Sequence, residues 1–143
     1  MTTITVQRTL RVAPEVVWAE LRHIERHVEW MNDAVATEFT SDQREGVGTE
    51  FYCDTKVGPL RTRDVMTVTE WADDSAMGVT HRGLVTGVGR FTLERCPAGT
   101  IVTWSESLHF PWWFGGPLGA IVASPVLRAL WTKNLRQLGE RLA

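Results

Sequence analysis

The sequence predicts an α+β grip, in which one long antiparallel sheet curls around a single C-terminal helix. Three observations carry this. Six strand-like segments between residues 34 and 110 are separated only by hairpin-length turns, which makes their sheet antiparallel. Segments of ten or so residues, ~33 Å each, form a sheet long enough to twist, curl and need a cover. The stretch Leu118 to Leu142 spans ~37 Å as one helix and is the only element long enough to supply that cover.

In chain order, Thr3 to Val12 alternates Ile4, Val6, Leu10 and Val12 against Thr5, Gln7, Thr9 and Arg11, as a half-buried strand does, with Arg8 an odd charge on the apolar face. Ala13-Pro14-Glu15 starts a short helix that buries Val17, Trp18 and Leu21. A second short helix is expected over His23 to Trp30. Six strands follow: Ala34 to Thr40, Thr49 to Val57, Leu60 to Trp71, Met77 to Arg82, Val88 to Cys96 and Thr100 to Phe110. Turn signals at Ser41–Gly46, Gly58-Pro59, Gly83, Gly87 and Pro97-Ala98-Gly99 separate them. The order is strand, two helices, six strands, helix, about seven strands in all.

The last quarter organises the rest. Phe110-Pro111-Trp112-Trp113-Phe114-Gly115-Gly116-Pro117 reads as an aromatic loop entering the long helix, with Pro117 in its first turn and Pro125 marking a kink or a restart. The helix is amphipathic in its second half and apolar all round in its first, where Arg128 is the only charge before Leu130. Something greasy must surround that first half: protein, ligand or membrane. A transmembrane span is not expected, because the uncharged run Phe110 to Leu127 contains Pro111, Gly115, Gly116, Pro117, Gly119 and Pro125.

Composition narrows the class. A chain of 143 residues with 43% hydrophobic and 22% charged residues suits one soluble domain, residues 1–143. A net charge of −2 argues against nucleic acid as a partner. Cys53 and Cys96 have neither metal spacing nor a disulfide framework and read as reduced thiols of a cytoplasmic protein. Met1-Thr2-Thr3-Ile4 has no signal-peptide pattern. Seven tryptophans suit a core that walls a cavity, and equally one that is tightly filled. The sequence implies no cofactor and no metal. His23 and His27, four residues apart, lack a third ligand and read as a solvated helix face. Gly87-Val88-Gly89 reads as a turn rather than a dinucleotide fingerprint, since no helix follows it.

This order of elements resembles that of the START-like, helix-grip superfamily, also called SRPBCC, and local motifs resemble its polyketide cyclase/dehydrase-like branch. The motifs are Ala13-Pro14-Glu15-Val16-Val17-Trp18, Glu29-Trp30-Met31, Gly46-Val47-Gly48-Thr49 and Gly99-Thr100-Ile101-Val102-Thr103-Trp104. They cover the chain in the family's order and specify a fold rather than a catalytic signature.

With each apolar face turned to the helix, four ionisable groups point inward: Arg8, Asp64, His81 and Glu106. In a filled core each would be costly, while in a water-containing pocket each is useful; a β-bulge could instead bring Asp64 or His81 to the rim. The resemblance implies that the first strand lies beside the last, where Arg8 would reach Glu106 as a structural or a functional pair. The leading expectation is a cavity that binds a hydrophobic small molecule, aromatic, polyketide-like or lipid. Its lining would comprise Arg8, Phe51, Cys53, Met66, Phe91, Trp104, Leu108, Phe110, Ile121, Leu127 and Trp131, with Trp112 and Trp113 as a mobile lid at its mouth. A rival is a cyclase or dehydratase of polyketide-like substrates, with catalytic residues Glu106 or Asp64 as the acid–base group and His81 or Arg8 polarising a carbonyl. A third reading is a membrane or protein interaction module acting through the Trp112-Trp113 loop, in a monomer or a homodimer.

Overall fold

In the computed structural model, which describes residues 2–143, seven strands form one antiparallel sheet in the order β1-β7-β6-β5-β4-β3-β2. The strands are β1 (Thr2–Leu10), β2 (Ala34–Phe39), β3 (Glu50–Val57), β4 (Leu60–Ala72), β5 (Ala76–Arg82), β6 (Thr86–Cys96) and β7 (Gly99–His109). Helix α1 (Pro14–Leu21) and a 3-10 turn (Ile24–Glu29) connect β1 to β2, and α2 (Gly116–Leu142) closes the chain. The 3-10 turn replaces the second α-helix that the sequence suggests, and Gly87-Val88-Gly89 lies within β6 rather than in a turn. Register shifts between Ala34 and Ala36 and between Val68 and Glu70 add bend to the twisting sheet. The resulting trough takes α2 along its concave side.

Alternation sets which residues enter the trough. On β7, Val102, Trp104, Glu106 and Leu108 are buried, while Ser105 and Ser107 face out and meet the hydroxyls of Thr5 and Thr3 on β1. One end of the trough is filled, because Val17, Trp18, Leu21 and Ile24 pack beneath α1 with Trp71 edge-on to Trp18. In mid-trough a chain of rings crosses from sheet to helix: Phe91 lies 4.8 Å from Trp104, which stacks on Trp131 of α2 at 5.2 Å. Trp18, Phe51, Phe91, Trp104, Trp131 and Leu135 are all buried, as the apolar periodicity requires.

Polar clamps hold α2 in place. The Asp33 carboxylate accepts hydrogen bonds from Trp131 Nε1 (3.2 Å) and Asn134 Nδ2 (2.7 Å), and Asn134 Oδ1 accepts one from the Asn32 amide (2.9 Å). Arg141 pairs with Glu20 and Glu29 below. Arg128 Nη1 donates to the Thr5 carbonyl at 2.8 Å, and Gly139 packs against Leu10, so α2 runs in the direction of β1. Eleven helical residues and five strand residues both span ~17 Å. Residues 116–127 therefore reach back beyond the start of β1. Helix α2 continues through Pro125, where the kink was expected; Pro125 and Ile121, whose carbonyl loses its partner, are both exposed.

Candidate functional site

Beyond the Phe91–Trp104–Trp131 rings the trough is not filled. A cavity of about 270 Å³ lies between the sheet and α2. It exceeds the ~150 Å³ that takes a benzene ring and approaches the ~300–1,000 Å³ of small-molecule pockets. Phe51, Met66, Met77, Val79, Leu108, Phe110, Phe114 and Leu127 supply most of its apolar wall. Leu60, at the start of β4, and Leu84 and Val85, on the β5–β6 turn, line its outer end.

Three ionisable side chains from three strands enter this apolar space: Asp64 of β4, His81 of β5 and Glu106 of β7. His81 and Glu106 are not on adjacent strands, since β6 lies between them. They meet because β6 is bare there. Gly87 stands opposite both His81 and Leu108, and Gly89 stands opposite Glu106. A Cβ at Gly89 would lie 2.5 Å from one Glu106 carboxylate oxygen and 2.6 Å from the other. His81 Nε2 thus lies 2.8 Å from Glu106 Oε2, across the backbone of β6. The two groups form a buried ion pair, and neither of these atoms has any further polar partner. Glu106 Oε1 accepts a hydrogen bond from Trp104 Nε1 at 3.0 Å. Asp64 Oδ1 is likewise buried and unpartnered, and a Cβ at Gly83 would fall 2.0 Å from it.

The three groups influence one another electrostatically. Burial alone would lower the pKa of His81, but the Glu106 and Asp64 carboxylates outweigh it and hold the imidazolium above its ordinary range. Burial raises Asp64; the nearby His81 opposes that and Glu106 reinforces it. A second histidine in the same wall behaves oppositely. His27 is lowered by burial, with its Nε2 donating to the Leu21 carbonyl at 2.7 Å. Burial pushes the Cys53 thiol up to about 11, so it is inert at neutral pH.

Of the residues singled out by sequence, Glu106, Asp64, His81, Phe51, Cys53, Met66, Phe91, Trp104, Leu108, Phe110, Leu127 and Trp131 line the cavity. Four do not. Arg8 stands opposite Val102, four residues along β1 from Ile4, which faces Glu106. That offset is ~13 Å, and on an edge strand the guanidinium runs out beside Gly139 to solvent, so His81 takes the place expected of Arg8. Trp112 and Trp113 are 87% and 62% exposed on a 3-10 turn (Trp112–Phe114), and Ile121 lies on the outer face of α2. They do not cover the mouth; Phe110 and Phe114, 6.0 Å apart and stacked, line it instead. Sequence reasoning passed over His27, read as solvated, and Gly89, read as a turn. The period-2 register of β6 was the available signal for Gly89, since it shares the inward face of Phe91 and Leu93. No group of three His, Cys, Asp or Glu among the described residues is arranged to hold a metal ion.

A curved antiparallel sheet closed by one long helix over an internal cavity defines a helix-grip protein of the START-like superfamily. The chain belongs to the family described as polyketide cyclase / dehydrase and lipid transport, whose model matches residues 1–143. Its fold is similar to that of TTHA0849 from Thermus thermophilus, with 16% identity, a TM-score of 0.82 and coverage of 99% of this chain and 97% of that one. It also resembles major latex-like protein 151 from Panax ginseng, with 8% identity, a TM-score of 0.78 and coverage of 99% and 97%. A protein of Mesorhizobium loti, MLL2253, aligns with 20% identity, a TM-score of 0.72 and coverage of 97% and 95%. No curated protein matches the sequence itself. The fold and family support the binding of a hydrophobic ligand in general.

Proposed function

We propose that the protein binds a small hydrophobic molecule of one to three rings, or a short acyl chain, bearing a hydroxyl or carbonyl oxygen. One observation carries this: Asp64 Oδ1 is buried without a polar partner in an apolar cavity, beside a His81–Glu106 ion pair whose remaining neighbours are Trp104 Nε1 and apolar wall. A plain hydrocarbon would leave Asp64 Oδ1 unsatisfied, at ~1–3 kcal/mol. A ligand oxygen that donates to a carboxylate or accepts from the imidazolium relieves that cost. Calorimetric titration of 2-naphthol against naphthalene tests the idea. Wild type should prefer the naphthol by about tenfold, and the preference should shrink in His81→Gln and Asp64→Asn. Equal affinity for the two ring systems would remove the polar handle from the proposal.

The convergence of three ionisable groups also favours a second reading, acid–base catalysis of the cyclase or dehydratase kind. An imidazolium beside a bound carbonyl polarises it, while a carboxylate takes a proton from the neighbouring carbon. The elementary step can be read alone with 2-tetralone in D2O, following replacement of the proton α to the carbonyl by deuterium. Exchange faster than buffer and lost in Asp64→Asn supports catalysis. Exchange at the buffer rate leaves a binding protein.

A further inference from the structure

The uncharged segment that the cavity does not absorb lies on the outside. Trp112, Trp113, Leu118, Ile121, Val122 and Val126 are all more than half exposed, from 54% for Val126 to 87% for Trp112. The two indoles alone present ~370 Å² at ~250 Å² per ring, and the aliphatic side chains carry the patch beyond what a soluble monomer ordinarily shows. The same turn and helix contribute their other face, Phe114, Ala123 and Leu127, to the cavity wall. One layer of chain therefore separates the cavity from this surface.

Charge around the patch is one-sided. The cavity's outer end is built from the β3–β4 turn, the β5–β6 turn and the start of α2. Lys56 and Arg61 stand directly opposite each other beside the first of these turns, both exposed. Like charges in that position destabilise a ladder. Neither they nor Arg128, the first charge on α2, forms an ion pair among the described residues. The exposed acids Asp42, Asp73 and Asp74 belong to the opposite end, on the loops beyond β2 and β4, and Glu94 lies towards that end of β6. A chain of net charge −2 thus carries cations without an ion-pair partner among the described residues at the same end of the fold as its apolar surface.

We propose that this end docks on an anionic lipid bilayer, with Trp112 and Trp113 seated at the headgroup level and Lys56, Arg61 and Arg128 against lipid phosphates. Indoles suit that depth because they have an apolar body and one polar N–H. A shallow apolar face ringed by cations is the pattern of interfacial binding. Among the described residues no helix is long and apolar enough to cross a membrane, so the proposed contact is peripheral. A second copy fits less well, because a two-fold contact through this patch would set each copy's cations near the other's. Docking concerns the outer surface alone. It rests on the cavity reading only for its purpose, passage of a hydrophobic ligand between bilayer and cavity.

Co-sedimentation with phosphatidylcholine vesicles, with and without 30 mol% phosphatidylglycerol, tests it. Binding should require the anionic lipid and shift tryptophan emission to the blue. Lys56→Glu/Arg61→Glu should weaken it at least tenfold, about fivefold or more per cation, and Trp112→Ala/Trp113→Ala by more than tenfold. Titration of 2-naphthol in vesicle-free buffer should be unchanged in both double variants, which separates a failure of docking from a failure of the cavity. The proposal is overturned by no binding to either vesicle, by equal binding to both, or by a dimer in sedimentation velocity that Trp112→Ala/Trp113→Ala dissolves.

Discussion

Replacing Glu106 by Gln keeps the volume and an acceptor for Trp104 Nε1 but removes the charge 2.8 Å from His81 Nε2. Its effect on stability should change sign with pH. His81 is raised in the fold, so the pair's contribution is fully present below the ordinary histidine value of ~6.5 and is lost as pH rises through the folded-state value. At pH 6 the variant forfeits a buried charge-assisted contact and should lose ~1–3 kcal/mol. The loss is limited because His81, left with burial as its main influence, can shed its proton. Above the folded-state His81 value wild type holds Glu106, 5% exposed, beside a neutral imidazole. The variant, free of that buried charge, should match wild type or exceed it by ~1 kcal/mol. Asp64 is raised chiefly by burial, which the substitution leaves in place, so its own titration largely cancels in the comparison. Urea melts should be followed by circular dichroism, since Trp104 touches the altered group. With a slope of ~2 kcal/mol/M, a ~2 kcal/mol loss lowers the midpoint by ~1 M. A difference of the same size and sign below and above the His81 titration, located by NMR of its ring protons, would refute the coupling to His81.

Gly89→Ala puts a Cβ where the Glu106 carboxylate sits and should drive it away from His81. The stability cost should be ~1–3 kcal/mol, and the His81 titration, read from its ring protons by NMR, should fall while that of His27 stays low; an unmoved His81 would contradict the bare-strand account. Trp131→Ala removes the ring stacked on Trp104 and the donor to Asp33. Because part of that ring already faces the cavity, the loss in a urea melt should sit near ~3 kcal/mol, the low end for a buried tryptophan; a loss below ~1 kcal/mol would mean that Trp131 does not hold α2 to the sheet.

Much of the fold is legible because local rules and long-range packing agree in it. Period-2 alternation on β1, β3 and β7, turn residues between strands and one long helical stripe leave few ways to assemble the chain. The same alternation placed Asp64, His81 and Glu106 on inward faces, and these three line the cavity. The helix-grip class and the family were accordingly within reach of sequence alone. Which charges meet was not, because pairing depends on strand order and register, and a two-residue offset moves a side chain by ~7 Å. That is why Arg8, correct in parity, ends beside Gly139, and His81 reaches Glu106 across two glycines of an intervening strand. The aromatic loop shows the same limit. Its sequence announced exposed or ligand-facing rings but not which; in the fold the 3-10 turn over Trp112–Phe114 leaves Trp112 and Trp113 outside, while Phe110 and Phe114 line the cavity. Composition and periodicity determine which side chains leave water; only the tertiary structure decides which of them share a cavity, because that is settled by contacts between residues far apart in the chain.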